Sequence, residues 1–105
     1  MVRYLFRLFI AGRSSRSLQA ITNLRRIGDE RLRGQYELVV VDVLVDPESA
    51  ESSRVLTTPT VVREAPAPVR RVTGDLSDVE RVVFALDLTD AFTDSAETLG
   101  DSERP

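Results

Sequence analysis

The chain has 105 residues, a formal net charge of −3, 42% hydrophobic residues and 30% charged ones, which bounds it to one globular domain with a modest core. It contains no Cys and no His, and all 14 of its basic residues are Arg. This excludes disulfides, thiolate nucleophiles, zinc–thiolate sites, imidazole bases and Schiff-base lysines, and leaves carboxylates, hydroxyls, Tyr4 and Tyr36 as conceivable catalysts.

Residues 4–11 are mostly apolar and bulky and read as a buried strand that ends at Gly12. Arg3 and Arg7 break the continuity a signal peptide would need, and no apolar run approaches the roughly 20 residues that span a bilayer, so a cytoplasmic location without a membrane partner is expected. Ser14 or Ser15 is placed to cap a helix. Leu18, Ile21, Leu24 and Ile27 then recur every three residues, with Ala20 beside them, as one apolar stripe. Gly28 weakens this helix locally, and Gly34 is the expected stop.

Residues 38–41, extended by Val43 and Leu44, form a continuous apolar run that predicts a central strand covered on both faces. With the first strand and helix it makes a βαβ unit with parallel strands. Asp46-Pro47-Glu48 starts a short helix, with Asp46 as N-cap and Pro47 at the first helical position; its apolar anchors are Ala50, Val55 and Leu56. Residues 60–64 and 69–73 predict an antiparallel hairpin around Ala65-Pro66-Ala67-Pro68. Ser77-Asp78-Val79-Glu80 reads as a capping box, followed by an apolar face of Val79, Val82, Val83 and Leu86. Residues 1–90 are thus the expected domain, and residues 91–105 an acidic, disordered tail. Residues 87–105 hold six acids against Arg104, whereas the first 86 residues hold thirteen Arg against eleven acids, a balance too slight to predict nucleic-acid binding.

The order β-α-β-α-β-β-α, with Ala11-Gly12-Arg13-Ser14-Ser15-Arg16 after the first strand and Thr58-Pro59-Thr60 before the third, resembles the thioredoxin-like α/β fold. Without cysteine the redox reaction of that fold is impossible, so the frame predicts binding. Arg13-Ser14-Ser15-Arg16 stands where a Cys-x-x-Cys would lie; it reads as a partner surface or as an ordinary capped turn. Asp42, with no thiol to serve, is expected at a strand end in water. A glutathione-transferase-like activity through a Ser or Tyr hydroxyl would require a helical domain for which the chain is too short.

Leu8-Phe9-Ile10-Ala11-Gly12, Val41-Asp42-Val43-Leu44 with Pro47, and Leu56-Thr57-Thr58-Pro59-Thr60 resemble the KaiB family. So do Pro68-Val69-Arg70-Arg71-Val72-Thr73-Gly74-Asp75-Leu76-Ser77 and Leu86-Asp87-Leu88, in the same order over residues 4–88. The resemblance implies a non-enzymatic regulator of circadian timing, without cofactor or metal, that binds the hexameric ATPase KaiC and acts downstream on KaiA and output histidine kinases. It also implies two folds, a tetrameric ground state and a thioredoxin-like, partner-binding monomer. A stress-response binding module without a clock role is the alternative it allows.

By analogy with the family, Tyr4, Arg16, Gln19, Glu48 and Glu51 are candidate partner contacts. Arg70 and Arg71, adjacent on a strand, point to opposite faces, so one of them is free to meet an acidic partner. The family context also predicts a cis peptide before Pro59. Two departures concern the choice of fold: Pro66-Ala67-Pro68 replaces a Pro-Pro-Pro run, and Ala85-Leu86-Asp87-Leu88 replaces Gly-Leu-Asp-Leu. Pro59, Pro66, Pro68, Ala85 and Asp87 are read as the fold-state determinants, and because Ala is better than Gly inside a helix by about 0.8–1 kcal/mol, Ala85 is expected to favour the thioredoxin-like state over the tetrameric one.

Overall fold

In the computed structural model, residues 3–88 are described and form β1 (Tyr4–Ile10), α1 (Ser15–Arg31), β2 (Tyr36–Asp42), α2 (Pro47–Ser52), β3 (Thr60–Ala65), β4 (Arg70–Thr73) and α3 (Val79–Ala85). The acidic segment expected after residue 90 lies outside the described residues. The element order and the thioredoxin-like frame are those the sequence predicts.

The sheet order is β2-β1-β3-β4. β1 pairs with β2 in parallel, from Tyr4↔Tyr36 to Ile10↔Asp42, and with β3 antiparallel, with an irregularity between Leu5 and Phe6. β3 and β4 form the expected antiparallel hairpin. The central strand is therefore β1, and β2 is an edge. The apolar run of β2 misleads because Val40 is exposed while Val39 and Val41 pack under α2, so the strand is covered on one face and only partly on the other.

Phe6, Leu8 and Ile10 of β1, Val61 and Val72 face α1 and α3, where Ala20, Leu24, Ile27, Val82 and Leu86 complete the main core. Phe9, Val41 and Val62 face the other way and pack with Ala50 of α2 in a smaller core. The stripe of α1 is turned from the expected one. Ser17, Ala20, Leu24, Ile27 and Gly28 are buried and Leu18 is exposed, because a straight α-helix closes a face at spacings of three and four, not three alone. Gly28 faces Tyr36, so a side chain at that point would have to push the Tyr36 ring aside.

Two local expectations change in detail, and the cis peptide expected before Pro59 is present. Asp78, not Ser77, caps α3: its side chain accepts from the Arg81 N–H at 3.2 Å. Leu56 is not an anchor of α2, since it lies beyond the turn that carries Val55 back to the core and is solvent-exposed. The peptides before Pro59, Pro66 and Pro68 are all cis.

Candidate partner-binding surface

The pairings Phe9↔Thr60↔Thr73 and Ile10↔Asp42 bring four connections to one end of the sheet. They are the turn after β1, the segment between β2 and α2, the Pro59 turn and the turn after β4. Asp42 joins the first two. Its Oδ1 accepts the backbone N–H of Gly12 and of Leu44, both at 3.0 Å. Gly12 adopts φ +70° there, and an added Cβ would stand 3.3 Å from Leu44 Cδ1, so glycine closes the turn onto β2 without the strain another residue would carry. The carboxylate at this strand end thus serves as a backbone acceptor rather than a solvated group.

Ser14 caps α1: its Oγ accepts the Ser17 N–H at 3.2 Å and donates to Ser17 Oγ at 3.0 Å. The capped-turn reading of Arg13-Ser14-Ser15-Arg16 therefore accounts for Ser14. On the far side the Gly74 N–H donates to the Pro59 carbonyl at 2.9 Å, and Thr60 Oγ1 donates to the Thr57 carbonyl at 2.6 Å. Asn23 of α1 donates from Nδ2 to the Asp75 carbonyl at 2.8 Å, locking the last turn to the helix. The Asp75 carboxyl is held below the usual carboxylate range, first by hydrogen bonds from Ser77 and further by the nearby Arg16 guanidinium.

This end has a rigid base and an apolar rim. Leu44, Val45 and Leu56 are 72%, 81% and 94% exposed, with Leu18 exposed on the first turns of α1 and Arg13 and Arg16 between. Exposed apolar side chains flanked by arginines suit protein contact, where apolar residues and Arg are enriched. Among the described residues, no three His, Cys, Asp or Glu side chains are grouped to hold a metal ion, and no helix is long and apolar enough to cross a membrane.

The seven candidate contact residues do not form one patch. Tyr4 is buried, its ring stacked on Phe6 with centroids 6.0 Å apart, and in this fold it is part of the core. Arg16 and Gln19 lie exposed near the rim, and Gln19 lines a shallow depression with Ser15, Leu18, Thr22 and Asn23. Glu48 and Glu51 stand on α2, across the sheet. Glu48 borders an open cleft of about 490 Å³ that also holds the Arg7–Glu64 pair, joined at 2.7 and 3.2 Å. Hydrogen bonding to Glu64 raises the Arg7 pKa.

Arg70 and Arg71 do take opposite faces of β4. Arg71 donates to the carbonyls of Ser53 and Arg54 at 2.7 and 3.1 Å, closing the end of α2, while Arg70 remains exposed without a side-chain partner among the described residues. Of the residues read as fold determinants, Pro59 is buried, Pro66 and Pro68 are exposed in the β3–β4 turn, Ala85 is the last residue of α3, and Asp87 follows it at φ +52°. Sequence reasoning missed Leu44, Val45 and Leu56 as exposed residues, because an apolar residue next to a strand or helix reads as core.

The sheet order and helix placement define a thioredoxin-like domain. Among solved structures, the N-terminal domain of SasA from Synechococcus elongatus matches with a TM-score of 0.68 at 20% identity, covering 83% of this chain and 86% of that one. Chloroplastic thioredoxin z matches with a TM-score of 0.60 at 22% identity, covering 81% and 79%. Within that class the chain belongs to the KaiB family: residues 7–88 match the KaiB domain. It is 45% identical over 98 residues to the circadian clock oscillator protein KaiB of Parasynechococcus marenigrum, covering 92% of this chain and 94% of the relative. It is 43% identical over 88 residues to the circadian clock protein KaiB3 of Synechocystis, covering 84% and 86%.

Proposed function

We propose that this protein is a non-enzymatic regulator of circadian timing that docks on a KaiC-type hexameric ATPase in the cytoplasm. One observation carries the reading. The end of the sheet where thioredoxins place their thiols holds, in this KaiB-family chain, a capped Arg13-Ser14-Ser15-Arg16 turn, with Leu44 beside Gly12 and with Leu44, Val45 and Leu56 exposed on the connections at that end. Such a surface has nothing to react with and much to bury. The clock names of the relatives at 43–45% identity support a role in circadian timing.

Docking buries the three apolar side chains, with Arg16 and Gln19 as polar contacts at the margin. The test is co-elution of the purified protein with a hexameric KaiC-type ATPase in ATP and in ADP. A complex is expected in at least one nucleotide state, and Leu44→Asp or Leu56→Asp weakens it by about tenfold or more. Absence of a complex in both states overturns the proposal.

A further inference from the structure

Arg63 is a buried cation without an anion. Its side chain sits on the core face of β3, opposite Phe6 of β1 and Arg70 of β4, and the residue is 3% exposed. Nη1 donates to the Asp87 carbonyl at 3.1 Å and Nη2 to the Pro68 carbonyl at 2.6 Å. The guanidinium carbon stands 5.8 Å from the centre of the Tyr4 ring, and Nε has no acceptor. No carboxylate pairs with it among the described residues.

The two carbonyls belong to segments that are otherwise separate. Pro68 lies in the turn between β3 and β4. Asp87 follows α3 in the left-handed region at φ +52°; its N–H donates to the Phe84 carbonyl and that of Leu88 to Val83, which is the Schellman arrangement of a helix end. A buried charge depends on every hydrogen bond it makes. If either carbonyl leaves, the guanidinium is left short of acceptors in an apolar site and is driven out to water, which takes the donor away from the other carbonyl. Release of one segment therefore favours release of the other.

We infer that Arg63 is a two-point strap that makes the end of α3 and the β3–β4 turn open and close as one unit. When the unit is closed, Val82, Leu86 and Leu88 are buried; opening uncovers them while β1 and α1 keep their packing. The strap lies at the end of the sheet opposite the apolar rim, so it acts without touching the docking surface.

Amide hydrogen exchange of Arg63→Lys and Arg63→Met against the parent protein tests the strap. Lys keeps the charge and cannot bridge both carbonyls in the planar, two-point geometry of Arg. In Arg63→Lys, the amides of Leu86 and Leu88 and those of Arg70 and Val72, which pair with β3, are expected to exchange at least tenfold faster, by matching factors. Those of Leu8 and Leu24 are expected to keep their parent rates. Parent-like protection in Arg63→Lys overturns the inference. So does acceleration in only one of the two segments, or a uniform loss of protection across the chain. If Arg63→Met does not fold, the Lys variant alone decides.

Discussion

The ring of Tyr36 lies against the backbone of Gly28, so closely that a Cβ at residue 28 would stand 2.5 Å from Tyr36 Cδ1 and 2.6 Å from Cζ. Glycine is tolerated inside α1 because β2 presses onto the helix at this point. The Tyr36 hydroxyl also reaches Asp29 Oδ1 at 3.3 Å, which keeps the ring in place. Gly28→Ala is expected to destabilise the protein by up to about 2 kcal/mol, since overpacking of about 1–3 kcal/mol is set against a helix-propensity gain of about 1 kcal/mol. In a Tyr36→Ala background the same change is expected to be neutral or stabilising. Urea unfolding of the four proteins, read as a double-mutant cycle, checks the pair.

Asp42 should behave as an acceptor rather than as a charge. Asp42→Ala removes the acceptor for both the Gly12 and the Leu44 N–H and is expected to cost about 1–3 kcal/mol. Asp42→Asn keeps Oδ1 and is expected to cost less than about 1 kcal/mol. Thermal unfolding separates the two, and equal losses would show that the negative charge itself matters.

The end of α3 offers changes of opposite sign. Asp87 holds the left-handed position that glycine occupies without strain, so Asp87→Gly is expected to stabilise by about 0.5–1 kcal/mol. Ala85→Gly, two residues earlier at the last position of α3, is expected to destabilise by up to about 1 kcal/mol. Backbone chemical shifts of residues 82–86 should stay helical in Asp87→Gly and lose helicity in Ala85→Gly. Loss of helicity there is also what a shift away from the thioredoxin-like state would produce.

Asp75 couples the rim to pH. Its folded pKa lies below the ordinary carboxylate value of 3.8, chiefly through Ser77 and then Arg16. A carboxyl with a depressed folded pKa contributes stability that is present above the unfolded value. That contribution disappears as pH falls from about 3.8 through the lower folded pKa. An NMR titration of the Asp75 carboxyl carbon is expected to show a midpoint below 3.8 that moves up in Ser77→Ala. An unchanged midpoint would remove Ser77 as the cause.

Much of the frame could be read along the chain because its signals are local. Gly12, Ser14, Asp46-Pro47 and Gly34 mark turns and helix ends through the backbone conformations and hydrogen bonds of their own neighbours, and the structure places α1, α2 and the hairpin accordingly. The readings that changed concern burial. Leu18, Leu56 and Val40 are as apolar as Leu24 and Val41, and only the placement of the other elements decides which of them meet water. Of the candidate contacts, Arg16, Gln19, Glu48, Glu51 and Arg70 are exposed, Arg71 is engaged by the end of α2, and Tyr4 is inside.

By itself the sequence determined what this protein cannot do by thiol, imidazole or lysine chemistry, because those groups are absent from every residue. It also determined the order of strands and helices, because periodicity, capping and turn chemistry act within a few residues of one another. Tertiary structure alone decided that β1 rather than β2 is central, and that Asp42 bridges two connections. It also decided that Arg63 is buried between two carbonyls 19 positions apart. Those outcomes rest on contacts between segments distant along the chain, and no local pattern records which of several apolar strands will be enclosed or which charge will find its partners in the backbone.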